Sequence, residues 1–396
     1  MADRLAGLQP GAYIAVSLAI AIGLTGGSSG RLGGETVDSS VAAKIDGIFS
    51  SAIAPDEPGA AVLVRRDGHD VFVRGYGLRE LRTKTAIDTR TNFRLASCTK
   101  QFTAMAIMLL VHDGKLRYDE KLTEVFPEFP AYGQSITIDN LLNHTAGLPD
   151  YEELMLAAET PRNSWAWSET RQIRDSEVLT LLEQQKAGKF AASAKWAYSN
   201  SGYVVLGLVV AKVSGNSFGE FLHQRIFAPL RMDGTLAYEN GKNEVANRAY
   251  GHSRQDITWK QTDQSSTSAT LGDGGIYSSV ADLEKWDEAL ARQTLLSESE
   301  MQVATTSAKL SGGAQPKWPR DSDRPEGALV AYGFGWFLDP YQGHARMWHY
   351  GDTRGFHTYI ERFVDDRVTI VVLCNRTDLD PEALAGKIAA LLLPLR

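Results

Sequence analysis

Three short groups of residues carry the reactive side chains of this chain: Ser97-Cys98-Thr99-Lys100, Tyr198-Ser199-Asn200 and His349-Tyr350-Gly351. A serine hydroxyl with a lysine amine three residues on is a nucleophile with a proton acceptor on the same helical face. After Ser97 the apolar residues Phe102, Met105, Met108 and Leu109 recur at helical spacing, and His112-Asp113-Gly114 ends the run. The spacing predicts a helix that starts at Ser97, where unpaired backbone N–H groups and the positive end of the dipole favour developing negative charge. Ser-x-x-Lys alone is a common pattern, and an N-cap serine followed by a solvated lysine reads it equally well. The other two groups, in this order, favour chemistry.

In such a set Ser97 attacks a carbonyl and gives its proton to Lys100 or to Tyr198. A tyrosine titrates near about 10, so Tyr198 can be that base only if a neighbouring cation such as Lys100 lowers it. Asn200 can hydrogen-bond both Lys100 and a substrate carbonyl or amide. Hydrolysis of an acyl-Ser97 by water completes a cycle that uses no metal and no cofactor. Other matches to these patterns sit in the wrong context: Tyr238-Glu239-Asn240 heads a polar loop, and His112-Asp113-Gly114 is a helix stop. Gly251-His252-Ser253-Arg254-Gln255 lacks the second glycine of a nucleophile elbow.

The elements that must position these residues are legible as periodicities. Val41, Ile45, Ile48 and Phe49 mark a first helix, and Ala60–Arg65 and Asp70–Arg74 alternate as strands around the hairpin signal Arg66-Asp67-Gly68. From Ser97 to about residue 300 the signals are helical: 138–144, 176–185, and the stripe Val204, Val205, Leu208, Val209, Val213 stopped at Gly215. Ser217-Phe218-Gly219-Glu220 and Ser279-Val280-Ala281-Asp282 read as capping boxes. Strands return at 332–338, 347–350, 356–364 and 367–374, and 381–393 closes the chain as a helix. The polar stretches 239–275 and 307–327 read as long connections. Strands at both ends around a helical middle predict a mixed α/β (α+β) fold, one antiparallel sheet built from both termini with flanking helices and an inserted helical region. The sheet lobe covers about 40–85 and 330–396, the helical lobe about 86–329, and the cleft between them is the place for a site.

Composition excludes some roles. The chain has 396 residues, 43% of them hydrophobic, and a formal charge of -7, with no run of Lys and Arg to serve a nucleic-acid partner. Cys98 and Cys374 read as small buried apolar residues, with a disulfide between them left open. Residues 1–34 stand apart: Ala12–Leu24 is apolar except for Ser17, and a Thr25–Gly30 tract of small residues follows. This suits a secretory signal peptide and a periplasmic or secreted protein, with a retained N-terminal membrane anchor as the alternative. No other segment is apolar enough to cross a membrane, and 35–396 remains as the hydrolase domain.

The three groups, in this order and at these separations, resemble the serine β-lactamase and D-Ala-D-Ala carboxypeptidase superfamily, most closely its class C-like branch, which also holds D-aminopeptidases and esterases. Leu141-Leu142-Asn143-His144-Thr145-Ala146-Gly147-Leu148, Ile226-Phe227-Ala228-Pro229-Leu230 and Gly274-Gly275-Ile276-Tyr277-Ser278-Ser279 agree with it, over about residue 40 to the end. The resemblance implies a β-lactamase/transpeptidase-like fold with Ser97, Lys100 and Tyr198 as catalytic residues. It implies substrate binding by Asn200, His349, Gly351 and Asp352, the backbone N–H groups of Ser97 and Asp352 forming the oxyanion hole. The substrate class it implies is a β-lactam, a D-amino acid peptide or an ester, with peptide or β-lactam hydrolysis ahead of simple ester cleavage. A binding or structural protein that keeps the fold is the alternative of another class. One departure matters: His349 stands where many β-lactamases carry lysine, and a histidine of ordinary pKa is largely neutral at pH 7. Arg354 can restore a cation there or be a solvated loop residue. Ala192-Ser193-Ala194 replaces the usual Pro-Gly segment before the second group.

Overall fold

Five antiparallel strands from sequence-distant segments pair in the order Arg346–Thr353, Phe356–Phe363, Val368–Cys374, Ala60–Arg66, His69–Tyr76. The computed structural model describes residues 39–158, 167–320 and 324–396, so the expected signal or anchor segment lies outside the described residues. The Asp67-Gly68 turn holds both residues at positive φ (53° and 78°), as a hairpin loop matched to strand twist requires. The two central strands are covered on both faces, which explains why Val368–Cys374 and Ala60–Arg65 read as continuous rather than alternating apolar runs. Ile45 and Phe49 from Ser39–Ser50, and Leu384 and Ile388 from Pro381–Leu392, pack on one face with Val62, Val64, Ile370 and Val372. The opposite face, through Ala61, Leu63, Val371 and Leu373, joins the core of the helical region.

That region is built around the Lys100–His112 helix, buried from Lys100 through Leu110, and the Asn200–Ser214 helix packed against it. Burial all round, rather than on one face, is why the apolar stripe after Ser97 is only part of its contact surface. Gly207 and Gly272 let helix and loop approach closely: a Cβ on Gly272 would lie 2.2 Å from the Tyr203 carbonyl oxygen. A small sheet of Phe93–Arg94, Ile276–Ser278 and Leu236–Ala237 delivers the chain to Ser97.

Some expected elements differ. Tyr332–Leu338 is a tight turn with isolated bridges, not a strand. Gly335 turns there at φ 77° with its backbone against the start of the Lys100 helix, where a Cβ would come within 2.8 Å of Gln101. The alternation that suggested a strand serves an aromatic cluster instead, with Tyr332 and Phe337 edge-on at 4.8 Å. The 239–275 connection contains a hairpin, His252–Gln255 with Thr258–Gln261. The Ser217 capping box is present; at the second, Ser279 Oγ accepts the Asp282 N–H (3.2 Å), but the Asp282 carboxylate does not return the bond and accepts from the Gly234 N–H (2.9 Å) and the Thr235 hydroxyl (2.8 Å). Cys98 and Cys374 are both free and buried, in cores on opposite faces of the sheet, so the disulfide reading is withdrawn.

The Arg346–Thr353 strand is the edge of the five-stranded sheet, and Gly351 fixes how near it comes to Ser97. A Cβ there would meet the Leu95 carbonyl oxygen at 2.1 Å and the Thr358 hydroxyl at 2.3 Å. Gly351→Ala must push strand and nucleophile apart. The expected loss is about 2 kcal/mol or more of stability, read as a fall of several degrees in Tm, with slower serine acylation at temperatures where the variant remains folded.

Candidate active site

Ser97 sits in a 3-10 turn, Ala96–Thr99, that runs directly into the Lys100–His112 helix. The preceding Ala96 is held at φ 46°, a left-handed conformation that costs an alanine about 1 kcal/mol or more and persists because its surroundings impose it. Leu95 donates its N–H to the Ile276 carbonyl (2.8 Å), and Leu95 O accepts from the Thr358 hydroxyl (2.8 Å). On the other side of Ser97, Cys98 Sγ donates to the His349 carbonyl (3.3 Å) and Thr99 Oγ1 accepts from the Ile276 N–H (3.2 Å). The first and third sequence groups are thus stitched together, with Ser97 left partly exposed between them.

Lys100 is fully buried, and its Nζ has three acceptors: Ser97 Oγ at 2.9 Å, Asn200 Oδ1 at 2.9 Å and the Asp273 carbonyl at 3.0 Å. An ammonium can donate to all three. A neutral amine has two hydrogens for the two fixed acceptors, Asn200 and Asp273, which leaves its lone pair aimed at the Ser97 hydroxyl. Burial pushes Lys100 down to about 8, against the opposing pull of Asp273, Asp150 and Glu152. A base is therefore available near neutral pH. The rings of Tyr198 and Tyr203 flank the amine, 4.9 and 5.5 Å from its nitrogen.

Tyr198 lies beside Ser97, but its hydroxyl has no partner in hydrogen-bond geometry. Burial raises it well above 10, and the nearby Ser97 hydroxyl pulls only weakly the other way. The condition for Tyr198 to be the base, a pKa lowered by Lys100, is not met; the phenol stays protonated and is a donor. His349 is fully buried, its Nδ1 donating to the Tyr350 carbonyl (2.6 Å) and its Nε2 accepting from the Tyr332 hydroxyl (3.1 Å). Burial, then the charge of Lys100, pushes it down to about 3. It is a neutral imidazole with both nitrogens engaged, so it offers neither charge nor a free polar atom to a substrate.

Backbone groups on a strand alternate sides. Trp348 exchanges both of its backbone bonds with Phe337 (2.8 and 2.9 Å), so the Asp352 N–H, four residues on, also turns from the Phe356–Phe363 strand to the free edge. The Asp352 side chain points elsewhere, to His357 at 3.2 Å. Arg354 is half exposed and paired with Glu169 at 2.5 Å, so it is not a free cation for a substrate carboxylate.

In the sequence His144 marks the end of a short helix within a stretch shared with the family; in the structure it is a buried part of this site. Held at φ 63°, it accepts the Ser199 N–H at Nδ1 (3.1 Å), and its ring lies 4.4 Å from Tyr198 and 4.6 Å from Tyr332. Burial, and then the charge of Lys100, keep it neutral. The Asp273 carbonyl was missed as well, because a backbone acceptor leaves no trace in side-chain spacing.

A serine nucleophile on a helix start, a buried lysine of lowered pKa and a protonated tyrosine define a serine hydrolase site. A family model described as beta-lactamase matches residues 45–393. A penicillin-binding protein of Bacillus subtilis is 31% identical over 330 residues, covering 80% of this chain and 68% of that protein. A D-aminopeptidase of Cereibacter sphaeroides is 24% identical, over 85% of this chain and 60% of its own. The solved D-amino acid amidase from Ochrobactrum anthropi superposes with a TM-score of 0.71 at 23% identity, over 89% of this chain and 97% of its own. The chain belongs to the β-lactamase family of serine hydrolases, and its fold is that of the penicillin-binding proteins and D-amino acid amidases.

The lysine gives a pH dependence with a definite sign. The neutral amine is the base, its fraction rises with pH, and so the rate of Ser97 acylation should climb through a midpoint near 8. Neither His349, near 3, nor Tyr198, well above 10, can supply that limb. The midpoint should persist in His349→Gln; a midpoint near 6.5 that vanishes in this variant would assign it to the imidazole.

Proposed function

We propose that this enzyme hydrolyses an amide bond in a D-amino acid peptide or amide through an acyl-Ser97 intermediate. The observation that carries the reading is the Lys100 amine, fixed by Asn200 and Asp273 with its third position on Ser97 Oγ. Lys100 takes the Ser97 proton as Oγ adds to the carbonyl carbon. The negative oxygen that forms is met by the N–H groups of Ser97 and Asp352, donors of a kind worth about 3 kcal/mol each at the transition state. Tyr198 gives its proton to the leaving nitrogen and recovers one from the Lys100 ammonium, so the amine departs neutral and Lys100 is again a base. Water then attacks the acyl carbon, loses its proton through the same pair, and releases Ser97. Asn200 holds Lys100, and by its partly exposed position beside it is the side chain suited to a substrate amide. Gly351 sets the approach of the strand.

The relatives support amide over ester chemistry: their names include penicillin-binding protein, D-aminopeptidase and D-amino acid amidase. Ester cleavage by the same acyl-enzyme remains the second activity to assay. We carry export forward as part of the proposal, on the strength of the apolar run Ala12–Leu24 and the small residues after it.

Intact-mass spectrometry with a slow substrate or a β-lactam should show one adduct, on a peptide containing Ser97, and none in Ser97→Ala; an adduct on Ser199 or Ser253 would overturn the assignment. Lys100→Ala and Tyr198→Phe should each slow acylation by about 100-fold or more. Because they act as one relay, the double variant should be little worse than the poorer single. Losses that multiply would show that the two residues work independently.

A further inference from the structure

The end of the edge strand is held by a histidine that the reaction scheme does not use. Asp352 and His357 stand directly opposite across the hairpin, where the Asp352 backbone turns to the free edge and paired side chains come closest. His357 Nε2 lies 3.2 Å from Asp352 Oδ1, and its Nδ1 lies 3.0 Å from the Leu379 carbonyl oxygen. A carboxylate and a carbonyl can only accept, so both ring nitrogens need a hydrogen. This geometry suits the imidazolium; a neutral ring keeps one contact and turns a lone pair on the other oxygen. One residue on, the Thr358 hydroxyl donates to the Leu95 carbonyl (2.8 Å), beside the turn that carries Ser97.

The surroundings favour the charge. A cavity of about 300 Å³ beside the ring is lined by Asp352, Asp378, Asp380 and Glu382, with Arg324 and the Tyr350 phenol. Asp378 is paired with Arg376 (2.6 Å) and Arg254 (3.6 Å), and Glu382 with Arg324 (2.7 Å). Asp380 caps the C-terminal helix by accepting the Ala383 N–H (3.0 Å). The hydrogen bond to Asp352 outweighs burial and raises the imidazole above its ordinary 6.5, with the Leu379 carbonyl and the charges of Asp352 and Asp380 adding to it. The His357 side chain is 24% exposed, so its proton exchanges with solvent. Below the raised pKa the bridge is complete; as pH rises through it, one of the two contacts is lost.

We infer that the His357 imidazolium is a positioning residue for the oxyanion hole: it ties Asp352 to the Leu379 carbonyl and so holds the Asp352 N–H at the strand end in register with Ser97. Loss of its proton loosens the end of the hairpin and takes that donor out of alignment, while Ser97, Lys100 and Tyr198 stay in place. This deepens the amide-hydrolase reading and rests on it. Because the pair is partly exposed, its loss changes the rate severalfold and does not switch the enzyme off.

The test compares kcat and KM of the wild type, His357→Ala and Asp352→Asn on D-phenylalanine p-nitroanilide, from about pH 5.5 to 9.5. Lys100 and the substrate amine titrate in every variant and cancel in the ratios. The His357 midpoint is read separately, by NMR of isotope-labelled histidine. The wild type should exceed His357→Ala by about fivefold in kcat at the acid end with little change in KM, and the ratio should fall toward one through the His357 midpoint. In Asp352→Asn the amide can accept from the charged ring or donate to the neutral one, so that step should vanish and the midpoint should drop. Protection of the Gly351 and Thr353 amides from hydrogen exchange, corrected for the intrinsic effect of pH, should fall through the same midpoint in the wild type alone. A wild-type to His357→Ala ratio that is constant in pH, or a midpoint that Asp352→Asn leaves unmoved, would overturn the positioning role and leave hydrolysis standing. Absence of Ser97-dependent turnover would sink the hydrolytic reading, and amide protection then decides for His357: protection that follows the imidazole keeps its hold on the strand end, and protection that ignores it removes that hold.

Discussion

Burying one amine organises the site. An isolated charge inside a protein is too costly to keep, so a buried lysine either finds acceptors or loses its proton. Lys100 does both: three oxygens surround it, and its pKa falls to about 8. Each oxygen comes from a different part of the chain, so the amine is also a structural junction. Ser97 belongs to its own turn, Asn200 begins the partner helix, and Asp273 sits in the loop that enters the Ile276–Ser278 strand. Misplacing any of the three would leave a buried donor unpaired, so the same interaction that makes a base also holds the catalytic turn, the partner helix and the Asp273 loop together.

The same economy governs the imidazoles. A second cation at His349 would face Lys100 across a buried, aromatic-lined space, and burial already holds the imidazole neutral. With Nδ1 committed to the Tyr350 carbonyl, Nε2 can only accept, and it takes the Tyr332 hydroxyl. Tyr332 and Phe337 belong to the turn around Gly335 that lies on the start of the Lys100 helix. His349 thus acts through its neighbours, bracing the edge strand against the catalytic turn. His144 does the equivalent for Tyr198, by accepting the N–H of Ser199 and packing its ring, tilted, against the phenol.

Side-chain chemistry at fixed offsets was legible in the sequence; environment was not. Ser97 and Lys100 were readable because a helix brings residues three apart together, and Gly114 and Gly215 were readable stops because left-handed backbone favours glycine. The sheet could be inferred from the apolar runs at 60–65 and 367–374, although only burial on both faces explains their continuity. Tyr332–Leu338 misled because an aromatic cluster and a strand share the same alternation. Arg354 looked available because its partner, Glu169, is 185 residues away in sequence. The direction of the Tyr198 shift depended on whether desolvation or a neighbouring cation dominates, and nothing in residue spacing measures desolvation.

Charge balance then separates this site from the pattern it resembles. Where lysine stands at the third group, a permanent cation adds to the one after the nucleophile; here His349 is neutral and Arg354 is paired with Glu169, while Asp273, Asp150 and Glu152 pull the Lys100 pKa upward. The carboxyls of Asp273, Asp150 and Glu152 oppose the desolvation of Lys100, and removing them all would leave a weaker base of lower pKa. The acids thus hold the lysine within reach of neutral pH while the hydrophobic packing pulls it down, and the working pKa is the difference between two large effects. A site tuned in this way answers to charge brought in by its substrate more strongly than one in which a second fixed cation sets the potential.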